Sequence, residues 1–336
     1  MGIQAKGVEY SKRLGPITDE QLGRALARSD LGEFVKAEST KGGLFGQNVF
    51  VTSTRGEFVL RGCPHWDWQF SGERFFARVI HEHTDVPGPW PYLYEPSQQL
   101  FGWSYTIMPR LPGVPAAEER PPEDDLGVAR AMGENLARLQ AATFPAAGEY
   151  DLALDAIRPY PESYWSWLAG DVRKKLDHCR RLGSVAAEDE RWVERILDES
   201  RGAFDGDWQP CLVQNDYSLS NAVVEKRDGR WQVTGLFDLC ECRAGHGEGD
   251  LVRVFKAYRD RNPPAGSALA AAFLAAYREG RPLGPGYEAR FRVHMLRDQI
   301  IFWEYGHSQA QWFPQGLTLR PWCEPAVNPL EEGTPI

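Results

Sequence analysis

The sequence predicts an α+β protein of two lobes, a small antiparallel sheet with one main helix followed by a larger, mostly helical lobe. Three observations lead there. The chain has 336 residues, near the size at which a single core stops growing and a chain divides. Strand-like runs crowd the first 110 residues, whereas amphipathic helical patterns dominate from residue 124 onward. Between them lies a Pro/Gly-rich link, "PRLPGVP" at 109–115, which places the boundary so that 1–111 and 112–336 form the two lobes.

The elements follow in chain order. Residues 18–29 open with Thr18-x-x-Gln21, a capping-box signal, and carry apolar residues at helical spacing. Runs at 33–40, 47–54 and 56–62 read as an antiparallel meander. A glycine-rich stretch, Gly42-Gly43-Leu44-Phe45-Gly46, separates the first two, and Arg55-Gly56 makes the tight turn between the second and third. A helix fits 71–84, with Ser71 as its cap and Phe75, Phe76, Val79 and Ile80 on one face. Strands at 91–96 and 102–113 lead into the link. Helices then fit 125–143, 161–182, 188–202 and 287–312, and a strand–loop–strand unit at 210–238 interrupts them.

Composition narrows the function classes. The net charge of −9 argues against a nucleic-acid footprint. The start of the chain has no apolar core of signal-peptide length, and no run of 18 apolar residues occurs, so a cytoplasmic protein without membrane contact is expected, as monomer or homodimer. Six scattered cysteines do not resemble a disulfide framework. Cys240-x-Cys242 with His246 nearby lacks both the zinc-knuckle spacer and a second pair.

The chemistry concentrates in "QNDYSLSN", residues 214–221. Phosphoryl transfer needs an acceptor hydroxyl held against a carboxylate and charge neutralisation on the phosphates. Asp216 would accept the hydroxyl proton, and the Asn221 amide oxygen, five residues on, would hold Mg²⁺. Asp238 ends the apolar run "WQVTGLFDL" and would give the same ion a hard carboxylate oxygen. Alone, this spacing arises by chance in many chains. Upstream features add to it. Gly42, Gly43 and Gly46 lie between two strands, where backbone N–H groups could lie over phosphates. Arg61 ends the third strand and Glu73 opens the next helix, the arrangement in which a kinase cation is oriented by a helix glutamate. Arginine there grips phosphate bidentately and stays charged.

Taken together, these stretches resemble the aminoglycoside phosphotransferase family, a branch of the protein-kinase-like fold, in matches running in order over about two-thirds of the chain. "LVQNDYSLSNAVVE" and "WQVTGLFDL" are similar to the family's H-G-D-x-x-x-x-N and the strand ending in I-D, and "GENLARLQ" (133–140) is similar to its G-x-x-L-A-x-L-H helix. The resemblance implies Asp216 as base, Asn221 and Asp238 as Mg²⁺ ligands, Asp250 as the structural Asp opening the next helix, and ATP or GTP as donor. It also implies a hinge at "YTIMPRLPG", where the Pro109 carbonyl and Leu111 N–H face the purine beside Met108. The chain departs from the family at Gln214-Asn215 for His-Gly, at Arg61 for Lys, and in "GHGEGD", which lacks the usual Asp-Pro. Glutamine donates and accepts hydrogen bonds as histidine does, so loop support without titration is expected.

Acceptor residues implied by the resemblance are Glu241 and Glu248 after the metal Asp, and Asp298 and Glu304 on the late helix. A polyamine-like aminoglycoside would require several of these carboxylates to converge. Phe302, Trp303, Tyr305, Trp312 and Phe313 allow a flatter or uncharged antibiotic, although aromatics at this spacing usually belong to a core. The leading expectation is an antibiotic O-kinase conferring resistance, acting on an aminoglycoside or on a nucleoside or peptide antibiotic. A metabolic kinase for a choline-, homoserine- or sugar-like acceptor and a nucleotide-binding pseudokinase are the alternatives.

Overall fold

Burial alternates along Asn48–Ser53, and the tight turn at Thr54-Arg55 folds the next strand back against it. In the computed structural model, which describes residues 7–40, 45–261, 265–310, 312–314 and 316–328, the strands Phe34–Ser39, Asn48–Ser53 and Gly56–Gly62 pair antiparallel. Tyr105–Pro109 and then Leu93–Glu95 extend the sheet to five strands. Val49, Val51 and Leu60 point to its inner face, where Leu22, Ala25 and Leu26 of the helix Asp19–Arg28 cover them. That helix starts at the predicted capping box, with Gln21 N donating to Thr18 Oγ1 at 3.2 Å and Thr18 N donating to Gln21 Oε1 at 2.9 Å.

The helix Gln69–His83 starts two residues before the predicted position. Ser71 is therefore inside it and caps nothing; Trp68 stands at the N-cap without a side-chain bond. Its outer turn faces the larger core: Phe76, Ala77, Val79 and Ile80 pack with the helices of the second half rather than with the strand cluster. The helix therefore packs on the helical lobe and meets the sheet through polar contacts, Gln69 with Gln47 at 3.2 Å and Glu73 with Arg61 at 3.1 Å.

The helical lobe is built from Pro122–Leu139, Tyr164–Arg181, Ala187–Ser200, Leu251–Arg259, Ala265–Gly280, Tyr287–Tyr305 and Leu319–Val327. Pro122–Leu139 lies so close to Ala265–Gly280 that a Cβ on Gly133 would stand 2.2 Å from the Phe273 carbonyl oxygen, so only glycine fits there. The late helix ends at Tyr305 and passes into a π-helical turn, Gly306–Ala310, rather than continuing to 312. A hairpin, Gly148–Asp151 with Ala156–Pro159, was not predicted; its four-residue strands are too short to show a period. It joins Arg243–Gly245 and Cys211–Val213 in a four-stranded sheet.

The link is fixed to the helical lobe by backbone contacts. Val114–Pro115 pairs with Val223 and Val224 of the hairpin Ala222–Arg227/Arg230–Leu236, and Thr234 Oγ1 donates to the Pro112 carbonyl at 2.6 Å. Gly113 takes φ +117°, and a Cβ there would meet Thr234 Oγ1 at 2.7 Å. Only glycine fits at this point of the connection.

Candidate active site

The loop 214–221 leaves the buried strand Cys211–Val213, whose partner Arg243–Gly245 returns the chain beneath it. Buried Asp250 pins its start: Oδ2 accepts from Gln214 N and Oδ1 from Asn215 N, each at 2.7 Å. Burial pushes the Asp250 carboxyl up to about 7 against the pull of these two donors. The Gln214 amide spans from this loop to the next, its Nε2 donating to the carbonyls of Phe237 at 2.7 Å and Asp238 at 3.3 Å. Asn221 Nδ2 closes the turn on the Asp216 carbonyl at 3.0 Å. Asn215 and Asp238 both hold positive φ, +63° and +62°, a conformation the short Asn and Asp side chains tolerate better than most.

An Asp250→Asn substitution puts an NH₂ group where two backbone N–H donors converge. We expect a loss of about 1–3 kcal/mol in chemical denaturation, with kcat falling more than nucleotide affinity, because the displaced loop carries Asp216.

Arg61 links the sheet to the second loop. Its Nη2 lies 3.1 Å from Glu73 Oε1 and 3.2 Å from Asp238 Oδ1, and its Nε is buried without a partner. Burial would lower the guanidinium pKa, but the Glu73 and Asp238 carboxylates outweigh it and hold it above the usual range. Glu73 is oriented in turn by Gln69 Nε2 at 3.0 Å and the Tyr92 hydroxyl at 2.5 Å. A strand cation, a helix glutamate and a loop carboxylate thus meet in one place.

A divalent cation fits the oxygen donors here. Glu73, Asp238 and Cys240 offer ligand atoms lying within 4.8 Å of one another, and Asn221 Oδ1 has no hydrogen-bond partner among the described residues. Mg²⁺ is a hard cation that takes oxygen ligands, so Asp238 and Glu73 suit it and the Cys240 sulfur does not. Cys242 and His246 add nothing to this cluster, and all six cysteines are free.

At the hinge, Arg110 N donates to the Glu57 carbonyl at 3.0 Å, so the Pro109 carbonyl faces the other side by strand alternation, and Leu111 lies beyond the strand end. The neighbouring strand on that side pairs only as far as Ile107, which leaves this edge uncovered next to buried Met108. Gly46 has φ +59°; Gly42 and Gly43 lie outside the described residues.

Asp216 is two-thirds buried, and burial raises its pKa while Arg253 pulls it down. Arg253 Nη1 donates to Asp216 Oδ1, and its Nε donates to Asp298 Oδ1 at 2.7 Å. Sequence reasoning missed this arginine. The available signal was its position one helical turn after Asp250, which directs its side chain back toward the loop that Asp250 holds.

The acceptor carboxylates do not converge. Glu241 is half-exposed, 3.8 Å from Arg243; Glu304 is held by His178 Nδ1 at 2.5 Å and lies 3.8 Å from Lys175; Glu248 is buried against Arg290 at 2.7 Å. Of the four, only Asp298 lines the cleft beside the loop, and Arg253 engages it. The expected acidic pocket is replaced by one whose walls carry Arg243, Arg253 and Arg297 together with Tyr164 and Trp167. Trp303 belongs to the core, and Trp312 and Phe313 do not line this cleft.

A five-stranded antiparallel sheet, a sharp hinge, a helical lobe and a loop–carboxylate centre between them define the protein-kinase-like fold. Residues 37–289 match the model of the phosphotransferase enzyme family, and the chain belongs to that family. It is 23% identical to homoserine kinase from Neisseria meningitidis serogroup B over 289 residues, 85% of this chain and 88% of that one. Among solved structures, macrolide 2'-phosphotransferase MphH from Brachybacterium faecium superposes with a TM-score of 0.58 at 22% identity, covering 94% of this chain and all of that one. A thermostable variant of the aminoglycoside phosphotransferase APH(4)-Ia, in a ternary complex with ADP and hygromycin B, gives a TM-score of 0.63 at 14% identity over 93% of this chain and 100% of that one. Among the described residues no helix is long and apolar enough to cross a membrane.

Proposed function

We propose that this protein transfers the γ-phosphoryl group of ATP or GTP to a hydroxyl of a small molecule, with residues 1–111 holding the nucleotide and 112–336 the acceptor. The observation that carries this reading is Asp216. It sits in a loop pinned by Asp250, Gln214 and Asn221, with a raised pKa and a guanidinium on one oxygen. The acceptor hydroxyl gives its proton to Asp216 as its oxygen bonds to the γ-phosphorus. The bond from that phosphorus to the bridging oxygen breaks, and the nucleoside diphosphate leaves. Arg61, oriented by Glu73, would hold the α- and β-phosphates, and the uncovered hinge edge at Pro109 and Leu111 would take the purine. Asn221 and Asp238 would hold Mg²⁺, which when bound neutralises charge developing on the phosphate oxygens.

Two acceptor classes remain from the comparisons. An antibiotic, inactivated to give resistance, is favoured by the fold likeness to macrolide and aminoglycoside kinases and by the aromatic wall of Tyr164 and Trp167. A hydroxylated metabolite is favoured by the homoserine kinase relative and by the lack of converging carboxylates for a polycation. The geometry favours the second class.

The test is coupled nucleotide consumption across hydroxyl-bearing metabolites and antibiotics, with ATP and GTP run separately. We expect one acceptor class to raise turnover well above the rate with water alone. Tight nucleotide binding with no acceptor-dependent turnover would contradict the reading and favour a pseudokinase.

A further inference from the structure

We propose that the acceptor is a hydroxy acid whose carboxylate is held by the guanidinium groups of Arg243, Arg253 and Arg297. This rests on the reading above, in which the acceptor hydroxyl lies against Asp216. It names what the rest of the acceptor must be.

Among the described residues, free hydrogen-bond donors outnumber free acceptors in the cleft. The two carboxylates that line it are engaged: Asp250 by two backbone N–H groups, and Asp298 by Arg253 at Oδ1 and by Gln299 Nε2 at Oδ2, 3.4 Å away. No lining carboxylate is left for an ammonium group. The arginines, in contrast, have N–H groups to spare. Arg297 uses Nε on Asp171 and Nη1 on Asn215 Oδ1 at 2.9 Å, and its Nη2 has no hydrogen bond among the described residues. Arg253 uses Nε and Nη1, and its Nη2 is likewise without one.

Arg243 is the most telling. It is 8% exposed, its Nε is buried with no partner, and its carboxylate neighbours are two half-exposed rim residues, Glu149 at 3.3 Å and Glu241 at 3.8 Å. A buried guanidinium N–H without an acceptor is costly, and a turn of this side chain that brought the N–H to a ligand oxygen would remove that cost. The Arg243 and Arg297 guanidinium groups also lie over the same Trp167 ring, 4.8 and 5.5 Å from its centroid, which holds both in place. Guanidinium forks match the two coplanar oxygens of a carboxylate. A polycationic acceptor would bring further donors to a wall that already has too many.

The experiment uses the full chain and matched ligands: short hydroxy acids, including hydroxy amino acids, each beside its amide and its phosphate-bearing analogue, with an aminoglycoside as the cationic probe. Calorimetric binding and nucleotide-coupled turnover are measured on each. The acids should bind and be phosphorylated, and the amides should bind roughly ten- to a hundredfold more weakly. In Arg243→Met the preference for acid over amide should shrink through KM rather than kcat, and Arg243→Lys should restore it only in part, since an ammonium lacks the fork. Amides or aminoglycosides bound and phosphorylated as well as the acids would overturn the inference while leaving the kinase reading intact. Phosphate analogues preferred over carboxylates would overturn the choice of anion. Acids that bind in an Arg243-dependent way without ever being phosphorylated would uphold the site and contradict the kinase reading instead.

Discussion

Replacing Asp216 with alanine is expected to lower phosphoryl transfer by about a hundred- to ten-thousandfold while leaving nucleotide affinity near that of the wild type. In the proposed mechanism the carboxylate takes the hydroxyl proton, whereas Arg61 and the hinge, proposed to hold the nucleotide, belong to other elements. A pH profile separates this role from a structural one. Burial raises the Asp216 pKa, so activity is lost as pH falls through a value above the ordinary carboxylate range of about 4. Arg253 opposes that rise, so Arg253→Met moves the acid limb of kcat/KM to higher pH. A limb that stays in place in Arg253→Met would mean that another group titrates.

The second large effect is on stability. Arg61→Met leaves Glu73, 2% exposed, as a buried carboxylate without its cation, and should cost about 3–5 kcal/mol in urea unfolding at neutral pH. Burial already raises the Glu73 pKa against the pull of Arg61. Without Arg61 it rises further, so the folded variant binds a proton that the unfolded chain releases near pH 4. Stability of the variant is then retained at low pH and lost as pH rises, and its deficit against the wild type widens in that direction. Adding Glu73→Gln should recover part of the loss, because the amide carries no charge to leave unpaired. An Arg61→Met protein as stable as the wild type at neutral pH would show that Arg61 and Glu73 are not coupled as described.

The meander, the link at 109–115 and the turn at 214–221 were legible in the sequence because each depends on local signals: alternation, Pro/Gly punctuation, and a fixed Asp-to-Asn spacing within one turn. Gln214 could be read in part: its Nε2 donates to the next loop as expected, whereas its Oε1 is buried and accepts nothing among the described residues. The cationic wall could not be read. Arg243 opens a short strand, Arg253 lies on one helix and Arg297 on another, and only tertiary packing brings them together. Glu304 misled because it shares a helix with Asp298. It lies two turns beyond Arg297, about 10 Å along the axis, where His178 and Lys175 take it. Helical spacing indicates which face a residue occupies but not what that face meets at each depth.

Phosphorus NMR of the full chain incubated with Mg²⁺, nucleoside triphosphate and the hydroxy-acid series tests the central claim most directly. The account predicts a new phosphomonoester resonance growing in step with nucleoside diphosphate, absent with Asp216→Ala. Diphosphate formation accompanied only by inorganic phosphate, or an ester that forms equally fast without Asp216, would contradict it.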